Sequence, residues 1–540
     1  MSTIYNGCVP INMFAPSLYA GLVENQFATQ AEWDYLNASR LFDTKYSQSL
    51  LSYYMTGDAF ELPGGTALAG IGFELRNDEI DSIPNDVARD GLLWGYFSDR
   101  GAVGDKTTQE LIAEMELPLI AARPAVEELT VNFSARYTKD EFYSGSSTYS
   151  AKFAYRPNNS LLLRGTVGTS YRAPNLRENF LLGQSGFTSI YDPCVVPADA
   201  YNPLEGGYIP ALDERDEHVL ENCRRHGVDP TSLGVLDTSQ TSALYSLEVY
   251  RVGSLGLEEE KSESWTAGFS WEEPYSEAFD VTIGATYYDI ALSDEVVQLS
   301  TQYSVNDCYG DIEGDSVLCG NVVRKSLGDG MFGLIDFGNS PFTNRDGLKT
   351  RGVDVNVAFD WPTQIAGRAV DFGADINLNR KLQFQTIFID LETGSVDKED
   401  YVGEFGYPEW EGQGIFRVDV DRWRFTWATR YIGSVAQDPL GVDDWSDVFD
   451  GGSTTCLGPS RGDFQCRDVG YADKYFRHDA SVYYRGDLWS VGLGVRNLQN
   501  SWPPQVDSDE VGFVYNNTPL GRGYDISGRT IFVNFEAALQ

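Results

Sequence analysis

The chain has 540 residues and a formal net charge of −40, which arises from 80 acidic and 40 basic side chains. This balance disfavours nucleic-acid binding, because phosphate contacts require clustered Lys and Arg. No stretch of about 18 consecutive apolar residues occurs, so the sequence contains no candidate transmembrane helix.

The composition favours β-structure. The 54 glycines suit tight turns, and the 31 tyrosines, 29 phenylalanines and 11 tryptophans suit the aromatic girdles of a membrane β-barrel. Soluble β-proteins share part of this profile, so the arrangement of the strands and their connections has to separate the two classes.

Residues 1–50 precede the first predicted strand, and we expect them to form an extracellular-loop segment. The start of this segment lacks the basic and then apolar stretch of a signal peptide, which an outer-membrane protein needs. Cys8 in the same segment has no cysteine near it in the sequence.

From about residue 51 onwards the sequence consists of amphipathic segments with a period of two. In the segment 129–137, apolar Phe133 and Tyr137 alternate with polar Asn132 and Arg136, because successive β side chains point to opposite faces. The same pattern predicts fifteen strands, with bounds good to a few residues. The predicted strands are 51–60, 66–76, 109–120, 127–138, 147–156, 160–171, 261–272, 278–291, 349–361, 368–381, 411–419, 422–434, 475–485, 488–498 and 526–537.

Short and long connections alternate between these strands. The short ones carry the Gly, Pro, Asn and Asp that turns require. The short connections include 62–65, 156–159, 273–275, 421 and 486–487. The long connections are 77–108, 172–260, 292–348, 382–410, 435–474 and 499–525, with one shorter member at 139–146. Outer-membrane barrels have short periplasmic turns and long extracellular loops, so the alternation predicts such a barrel rather than a soluble sandwich.

Six of the seven cysteines form three close pairs, each inside one long connection. The pairs are Cys194 with Cys223, Cys308 with Cys319, and Cys456 with Cys466. They predict local disulfides in an oxidising compartment. We predict no metal site, since no Cys-x-x-Cys or Cys/His cluster with zinc spacing occurs and the three histidines are scattered.

The strand count is odd. The first and last predicted strands both run towards the periplasm, whereas single-chain bacterial barrels have an even number of strands. We therefore expect an incomplete, open barrel whose first strands lie in sequence outside this chain.

The segment 169–178, Thr-Ser-Tyr-Arg-Ala-Pro-Asn-Leu-Arg-Glu, closely resembles a motif of TonB-dependent receptors. In that family the motif marks the point where a barrel strand ends at the outer rim and a long loop begins. The motif positions in this sequence are Tyr171, Arg172, Pro174, Asn175 and Glu178. Arg172 is expected to tie the strand end to loop carboxylates at the rim.

Three further segments carry the resemblance. Residues 257–269 resemble the family's Leu-x-Pro-Glu-x-Ser segment, with Glu260 retained and Glu259 in place of the usual proline. Residues 528–535 resemble the closing barrel strand, although Phe535 is followed by five more residues. Residues 8–14 and 62–65 resemble mid-barrel segments of the larger receptors.

The resemblance implies an all-β fold, a transmembrane antiparallel β-barrel with about fifteen of an expected 22 strands, formed by residues 51–540. It implies no enzymatic activity and no cofactor, but energised import of a ferric siderophore, a cobalamin or an oligosaccharide. The expected partners are outer-membrane lipid, lipopolysaccharide and the TonB–ExbB–ExbD complex, which acts through a plug domain that we do not find in this chain. The expected location is the bacterial outer membrane.

The resemblance also makes the outer loops and the upper lumen the expected ligand-binding surface. Six loop aromatics could stack on a sugar or an aromatic siderophore, or could instead pack a loop's own small core or mark the membrane interface. These residues are Trp94, Tyr96, Phe97, Phe187, Tyr191 and Trp445. Inward-facing arginines are expected to line the lumen beside acidic partners, and in a complete receptor to contact the plug. The arginines are Arg136, Arg164, Arg417, Arg424 and Arg430, and the acidic partners are Asp354, Asp360 and Asp419.

Two other functions fit the sequence. A passive porin or adhesin would use the same barrel without a plug. A secreted acidic β-sandwich that binds or cleaves polysaccharide would share the strand pattern, although no phosphate-binding glycine loop, His-Glu-x-x-His or Gly-x-Ser-x-Gly motif supports catalysis.

Overall fold

In a computed structural model, the described residues are 8–537 except 16–17, 19–26, 28, 94–96, 203, 205–206, 237–238, 241–242, 274–275, 313, 315, 327–331, 346, 390–395, 437–470, 505–513, 516–517 and 520. The strands are β1 (Phe42–Leu62), β2 (Gly65–Pro84), β3 (Ala102–Arg123), β4 (Val126–Asp140), β5 (Ser146–Asn158), β6 (Leu161–Arg172), β7 (Gln184–Tyr191), β8 (Tyr201–Asn202), β9 (Gly207–Tyr208), β10 (Val235–Leu236), β11 (Ser239–Gln240), β12 (Leu244–Val252), β13 (Glu260–Glu272), β14 (Asp280–Ser293), β15 (Val296–Gln298), β16 (Val322–Arg324), β17 (Ile335–Asn344), β18 (Gly347–Ile365), β19 (Arg368–Ile389), β20 (Val396–Asp400), β21 (Trp410–Val420), β22 (Trp423–Ile432), β23 (Val435–Ala436), β24 (Tyr471–Ala472), β25 (Tyr475–Arg485), β26 (Trp489–Arg496), β27 (Val514–Tyr515), β28 (Thr518–Pro519) and β29 (Thr530–Ala537). The helices are α1 (Gln30–Leu36), α2 (Asp86–Arg89), α3 (Leu176–Phe180), α4 (Glu217–Arg225) and α5 (Thr301–Gly310), with 3₁₀ turns at Pro210–Leu212 and Val317–Asn321.

One large antiparallel sheet organises the chain. Its path is β1-β2-β3-β4-β5-β6-β13-β14-β18-β19-β21-β22-β25-β26-β29, and β20 pairs in addition with the end of β19. The path follows chain order and contains the fifteen predicted strands. In the described part of the chain, β1 pairs only with β2 and β29 only with β26. The prediction of an open antiparallel barrel wall is therefore confirmed, and a sandwich of two packed sheets is excluded.

The two faces of this sheet differ in chemistry. Phe133 and Tyr137 of β4 are exposed on one face, together with apolar residues of the other strands. On the opposite face, the Arg136 guanidinium forms an ion pair with Glu110 of β3, with an N–O distance of 3.3 Å. The predicted alternation of β4 is confirmed, and we refer to the two sides as the apolar face and the polar face.

Several strands extend beyond their apolar part. β1 begins at Phe42 rather than at residue 51, and β2 continues to Pro84. In the added part of β1, the positions that continue the apolar face carry polar residues, and backbone pairing such as Asp43 with Ile83 holds the segment in the ladder. Residues 42–50 of the expected extracellular segment therefore belong to the first strand.

The short connections all lie at one edge of the large sheet. Between β18 and β19, Ala366 and Gly367 have φ angles of 51° and 76°, and Asp421 between β21 and β22 has a φ of 53°. These left-handed conformations allow two-residue hairpin turns that match the strand twist. The long connections lie at the opposite edge.

Two of the long connections fold together instead of forming separate loops. The strands β7, β12, β17, β15 and β16 make a second sheet, in which β12 and β17 pair in parallel and join the two connections. A buried cluster lies against it, including Ile190, Leu247 and Ile335. We call this unit, residues 184–252 and 296–344, the loop lobe. Its small core explains why these sequences fold although they lie outside the large sheet.

Among the described residues, no helix is long and apolar enough to cross a membrane.

Candidate ligand-binding site

The rim motif forms a network centred on Arg172, the last residue of β6. Its guanidinium donates two hydrogen bonds of 2.6 Å to the Glu260 carboxylate and two, of 3.0 and 3.2 Å, to the Glu178 carboxylate. Glu260 also accepts a hydrogen bond of 2.9 Å from the backbone N–H of Val296 in β15. Charge-assisted bidentate contacts of this kind fix orientation as well as distance. Arg172 therefore joins the large sheet, helix α3 and the loop lobe.

The other motif residues shape the start of the long loop. Asn175 caps α3 by accepting hydrogen bonds of 2.9 Å from the backbone N–H groups of Arg177 and Glu178, and Glu178 accepts one of 2.7 Å from the Asn175 N–H. Such a capping box satisfies the free donors of a helix start. The Pro174 carbonyl accepts a hydrogen bond of 2.7 Å from the buried Lys106 ammonium. Half-buried Tyr171 lies opposite Lys261 in the neighbouring strand.

The core of the loop lobe contains a buried ionic network. Two nitrogens of Arg324 donate 2.8 Å hydrogen bonds to the two oxygens of Asp192. Tyr245 donates a hydrogen bond of 2.9 Å to Asp192, and the Arg324 Nε donates one of 2.7 Å to the Tyr309 hydroxyl. The pKa of Tyr245 is raised well above its usual range, mainly because the side chain is buried and secondly because Asp192 is negatively charged. Each of these four side chains is hydrogen-bonded to another, so the network fixes one arrangement of the two long connections that form the loop lobe.

Two of the predicted disulfides lie in the loop lobe. Cys194–Cys223 and Cys308–Cys319 have Cα separations of 5.7 and 4.8 Å. Both predictions are confirmed, and each bridge stays within one connection. The predicted pair Cys456–Cys466 lies outside the described residues.

His226 lies beside the second disulfide. Its side chain and the sulfurs of Cys308 and Cys319 lie within 4.8 Å of one another, the spacing of a metal-ligand group. The two sulfurs are bonded to each other, however, so they offer no thiolate to a metal. Burial and the charge of Arg324 lower the pKa of His226, which favours the neutral imidazole.

The structure brings two predicted aromatics together from separate loops. The rings of Phe97 and Phe187 lie 5.0 Å apart, and their exposed fractions are 38% and 56%. Tyr191 is exposed on the same side of β7 as Phe187, because side chains two or four residues apart share a strand face. Trp94, Tyr96 and Trp445 lie outside the described residues.

Two further aromatics on this side of the loop lobe are not found by sequence reasoning. Tyr250 of β12 and Phe337 of β17 contact each other edge to face, with ring centroids 5.5 Å apart. Glu248 pairs in register with Phe187 on one side and with Phe337 on the other. We call Phe97, Phe187, Tyr191, Tyr250 and Phe337 the aromatic face. Its combination of flat rings and one carboxylate suits stacking on an aromatic or sugar-like ligand.

The predicted inward arginines lie on the polar face, with different partners. Arg417 contacts Asp360 at 3.1 Å and Asp375 at 3.4 Å, and Arg424 contacts Asp419 at 2.7 Å. Arg164 instead donates a hydrogen bond of 3.0 Å to Thr286, and the Asp354 carboxylate accepts one of 2.8 Å from Asn379.

Arg430 differs from these, since its side chain forms no ion pair and no hydrogen bond within the described part of the chain. It lies directly opposite Arg477 in the neighbouring strand. At the end of the sheet, Phe535 of β29 is exposed on the apolar face opposite Val491.

Comparison with known proteins agrees with this architecture. Residues 14–498 match the family model described as TonB dependent receptor-like, beta-barrel. No curated protein matches the chain.

Three solved structures illustrate the similarity in fold. The ferric enterobactin receptor PfeA of Pseudomonas aeruginosa, a point mutant in complex with enterobactin, superimposes with a TM-score of 0.52 and 12% identity over 92% of this chain and 54% of that one. The siderophore receptor PirA of Acinetobacter baumannii superimposes with a TM-score of 0.51 and 13% identity, over 92% of this chain and 55% of that one. The Serratia marcescens hemophore receptor HasR was solved as a double mutant in complex with its hemophore HasA and heme. It superimposes with a TM-score of 0.50 and 13% identity, over 92% of this chain and 59% of that one.

The chain thus spans slightly more than half the length of the structures it resembles. The family match covers most of the sequence, and the antiparallel sheet with its long connections at one edge agrees with part of such a barrel. This chain therefore belongs to the TonB-dependent receptor-like β-barrel family, whose members are transporters and not enzymes.

Proposed function

We propose that the chain forms most of the wall of an outer-membrane receptor that imports a scarce or large nutrient with energy supplied through TonB. The observation that carries the proposal is the fifteen-strand wall itself, with an exposed apolar face, a polar ion-paired face and all long connections at one edge. An apolar face of this kind suits contact with lipid chains, and the loop edge suits contact with lipopolysaccharide. The family is one of the outer membrane of Gram-negative bacteria.

For the nutrient, we favour an iron complex of the siderophore or heme type over a cobalamin or an oligosaccharide. The solved relatives include receptors for ferric enterobactin and for a heme-carrying hemophore. The aromatic face supports the assignment, because catechol and porphyrin rings stack well on Phe and Tyr side chains.

Energised import needs a plug domain that closes the lumen and contacts TonB, and we place this domain outside the present chain. The polar face is the surface against which it would pack. This chain covers 54% and 55% of two solved relatives, so nearly half of each of those structures has no counterpart in it.

Uptake measurements in the host bacterium test the proposal. We expect deletion of the gene to abolish uptake of one class of radiolabelled iron complex (catecholate, hydroxamate or heme) under iron restriction, and complementation to restore it. The same uptake should stop in a strain without TonB. Uptake that depends on this protein but continues without TonB would instead identify a passive pore, and unchanged uptake of all complexes in the deletion strain would reject import of iron.

A further inference from the structure

Two polar side chains interrupt the apolar face of the large sheet. Thr429 of β22 pairs in register with His478 of β25, and we call these two residues the polar pair. The neighbouring pairs on the same face, two residues away along each strand, are Tyr431 with Phe476 and Trp427 with Ala480. The rings of Trp427 and Phe476 are exposed on this face. Hydrocarbon solvates polar groups poorly, so a polar pair at such a position marks a specific contact.

The polar pair lies in a complete part of the wall. Its strands, β22 and β25, are flanked by β21 and β26. Strands outside this chain would join at β1 or β29, and a plug would pack against the polar face, so neither would cover the polar pair. His478 lies three residues from the first residue of β25, about 10 Å along the strand from the edge of the long connections. In an outer-membrane barrel this edge is extracellular, which places the polar pair in the outer leaflet.

A chain of hydrogen bonds sets the direction of the His478 ring. The Trp427 indole N–H donates a hydrogen bond of 3.0 Å to the Thr429 hydroxyl oxygen, which lies 2.9 Å from Nδ1 of His478. If the Thr429 hydroxyl donates to Nδ1, every atom of this chain has a partner, and the imidazole proton is on Nε2. A proton on Nδ1 would instead leave both the Thr429 hydrogen and Nε2 unpaired. The first arrangement is therefore favoured.

The remaining donor of this chain is the Nε2–H of His478. Within the described part of the chain it has no hydrogen-bond partner. The rings of Trp427 and Phe476 lie on either side of the imidazole, with centroids 5.3 and 6.1 Å away, and offer no strong acceptor. On the β21 side, Thr429 pairs with Gly414, which has no side chain to cover the polar pair. An unpaired donor is costly in an apolar medium, so the acceptor has to come from a molecule in the membrane.

The depth of the polar pair restricts the chemistry of that molecule. Acyl chains carry no acceptor, whereas the ester groups that attach them to a lipid head have carbonyl oxygens at the boundary of the hydrocarbon layer. In the outer leaflet of an outer membrane the lipid is lipopolysaccharide, and its membrane anchor, lipid A, carries several such ester groups. Lipid A thus combines the acceptor that His478 lacks with chains that pack against exposed aromatic rings.

We propose that the polar pair and Trp427 form a binding site for lipid A, in which the His478 Nε2–H donates to an acyl ester carbonyl and the rings of Trp427 and Phe476 contact the acyl chains. This site deepens the proposed function, on which it rests for the orientation of the wall in the membrane, by assigning one lipid partner to a defined position on the apolar face.

The test measures lipid binding to the complete purified receptor in detergent by native mass spectrometry. Lipid A is the probe, and phosphatidylethanolamine, a phospholipid with ester-linked chains, is the comparison lipid. We expect the wild type to prefer lipid A. His478→Leu should weaken lipid A binding at least about fivefold, the usual effect of losing one hydrogen bond. His478→Gln, whose amide N–H can replace the Nε2–H, should weaken it less.

Tyr431→Phe is the matched control variant, because it removes a hydroxyl from the next position on the same face of β22 and keeps the ring. It should leave lipid A binding unchanged. Nitrogen NMR of the His478 imidazole adds a direct measurement, and we expect the Nε2–H signal to shift when lipid A is added. Equal lipid A binding by the wild type and by His478→Leu would overturn the proposal. Equal binding of the two lipids by the wild type would overturn the choice of lipid A.

The lipid assay is independent of import. If the receptor binds lipid A through His478 but the host transports no iron complex through it, the proposed function fails while the site stands. If TonB-dependent transport is confirmed but His478→Leu leaves lipid A binding unchanged, the site fails alone.

Discussion

Arg324 and Asp192 are separated by 132 residues and come from different long connections, yet they form a bidentate ion pair with N–O distances of 2.8 Å. Their side chains are 8% and 0% exposed. The pair therefore links the two connections at the centre of the loop lobe, and its loss should separate them.

The first prediction concerns this pair. Asp192→Asn leaves the buried Arg324 charge without its partner and should lower the free energy of unfolding of the loop lobe by about 3 to 5 kcal/mol. Urea-dependent pulse proteolysis of the membrane-embedded protein reports the lobe separately from the barrel. As the control, Glu221→Gln removes one side of the exposed pair with Arg225 and should cost less than about 1 kcal/mol. Equal effects of the two variants would contradict the role of the buried pair.

The second prediction concerns the disulfide Cys194–Cys223, which closes a segment with a sequence separation of 29 residues. Replacing both cysteines by serine should lower the stability of the loop lobe by about 3 to 4 kcal/mol, because the unfolded segment gains conformational entropy. Protease cleavage should increase within residues 194–223, while the heat-dependent gel mobility of the barrel stays unchanged. Cys8→Ser, outside both disulfides, is the control, and an equal change in cleavage with this variant would argue against the bridge.

Acid should weaken the same region through Asp213. Hydrogen bonds from Arg215, the closest at 2.7 Å, lower the pKa of Asp213 to about 2 from an ordinary value near 3.8. Because the folded-state pKa lies below the unfolded one, the stabilisation is complete above pH 3.8 and is lost as the pH falls towards 2. The contribution is about 2 kcal/mol.

Arg215 also donates to the carbonyls of Pro193, Val195 and Pro230, so protonation of Asp213 loosens the segment around the first disulfide. Pepsin cleavage in urea, measured between pH 2 and pH 5, checks the prediction. Asp213→Asn should be less stable than the wild type at pH 5 and equal to it at pH 2. A constant difference across this pH range would show that the ionisation of Asp213 is not responsible.

The faces of β4 provide a test of the membrane register. Phe133→Arg places a charge on the apolar face in the middle of the strand and should destabilise the membrane-inserted barrel by about 2 to 4 kcal/mol. Asn132→Arg, one residue away, points to the polar face and should have a small effect. Denaturant titrations in lipid vesicles measure both variants, and the reverse order would require the register of β4 to be shifted by one residue.

The sequence predicts the large sheet well because each strand has one apolar and one polar face, and this strict alternation can be read from the local sequence alone. The predicted strand ends are wrong where the apolar face of a strand stops before the strand itself does. Residues 43–49 at the start of β1 are mostly polar on both faces, since they extend beyond the apolar band, and pairing with β2 alone keeps them in the strand.

The loop lobe could not be predicted for a different reason. Its strands β7, β12 and β17 are short, and the parallel pairing of Glu248 with Phe337 joins segments 89 residues apart, which no local pattern reveals. The cysteines were the exception, because close spacing inside one connection is itself a local signal. Tyr250 and Phe337 were missed since only this tertiary pairing places them beside Phe187.

The aromatic face leads to the last prediction. Phe187 is more than half exposed although it contacts Phe97, and it is flanked by Glu248 rather than covered by another segment among the described residues. Phe187→Ala and Tyr250→Ala should each weaken binding of a ferric catecholate by about fivefold to tenfold, because an aromatic contact contributes about 1 kcal/mol beyond its buried area. Leu212→Ala removes an exposed apolar side chain elsewhere on the loop lobe and serves as the control. Fluorescence quenching of the complete receptor gives the affinities. If Leu212→Ala weakens binding as much as Phe187→Ala, the loss reflects a general change in the lobe, whereas a loss confined to the aromatic variants means that the rings stack on the ligand.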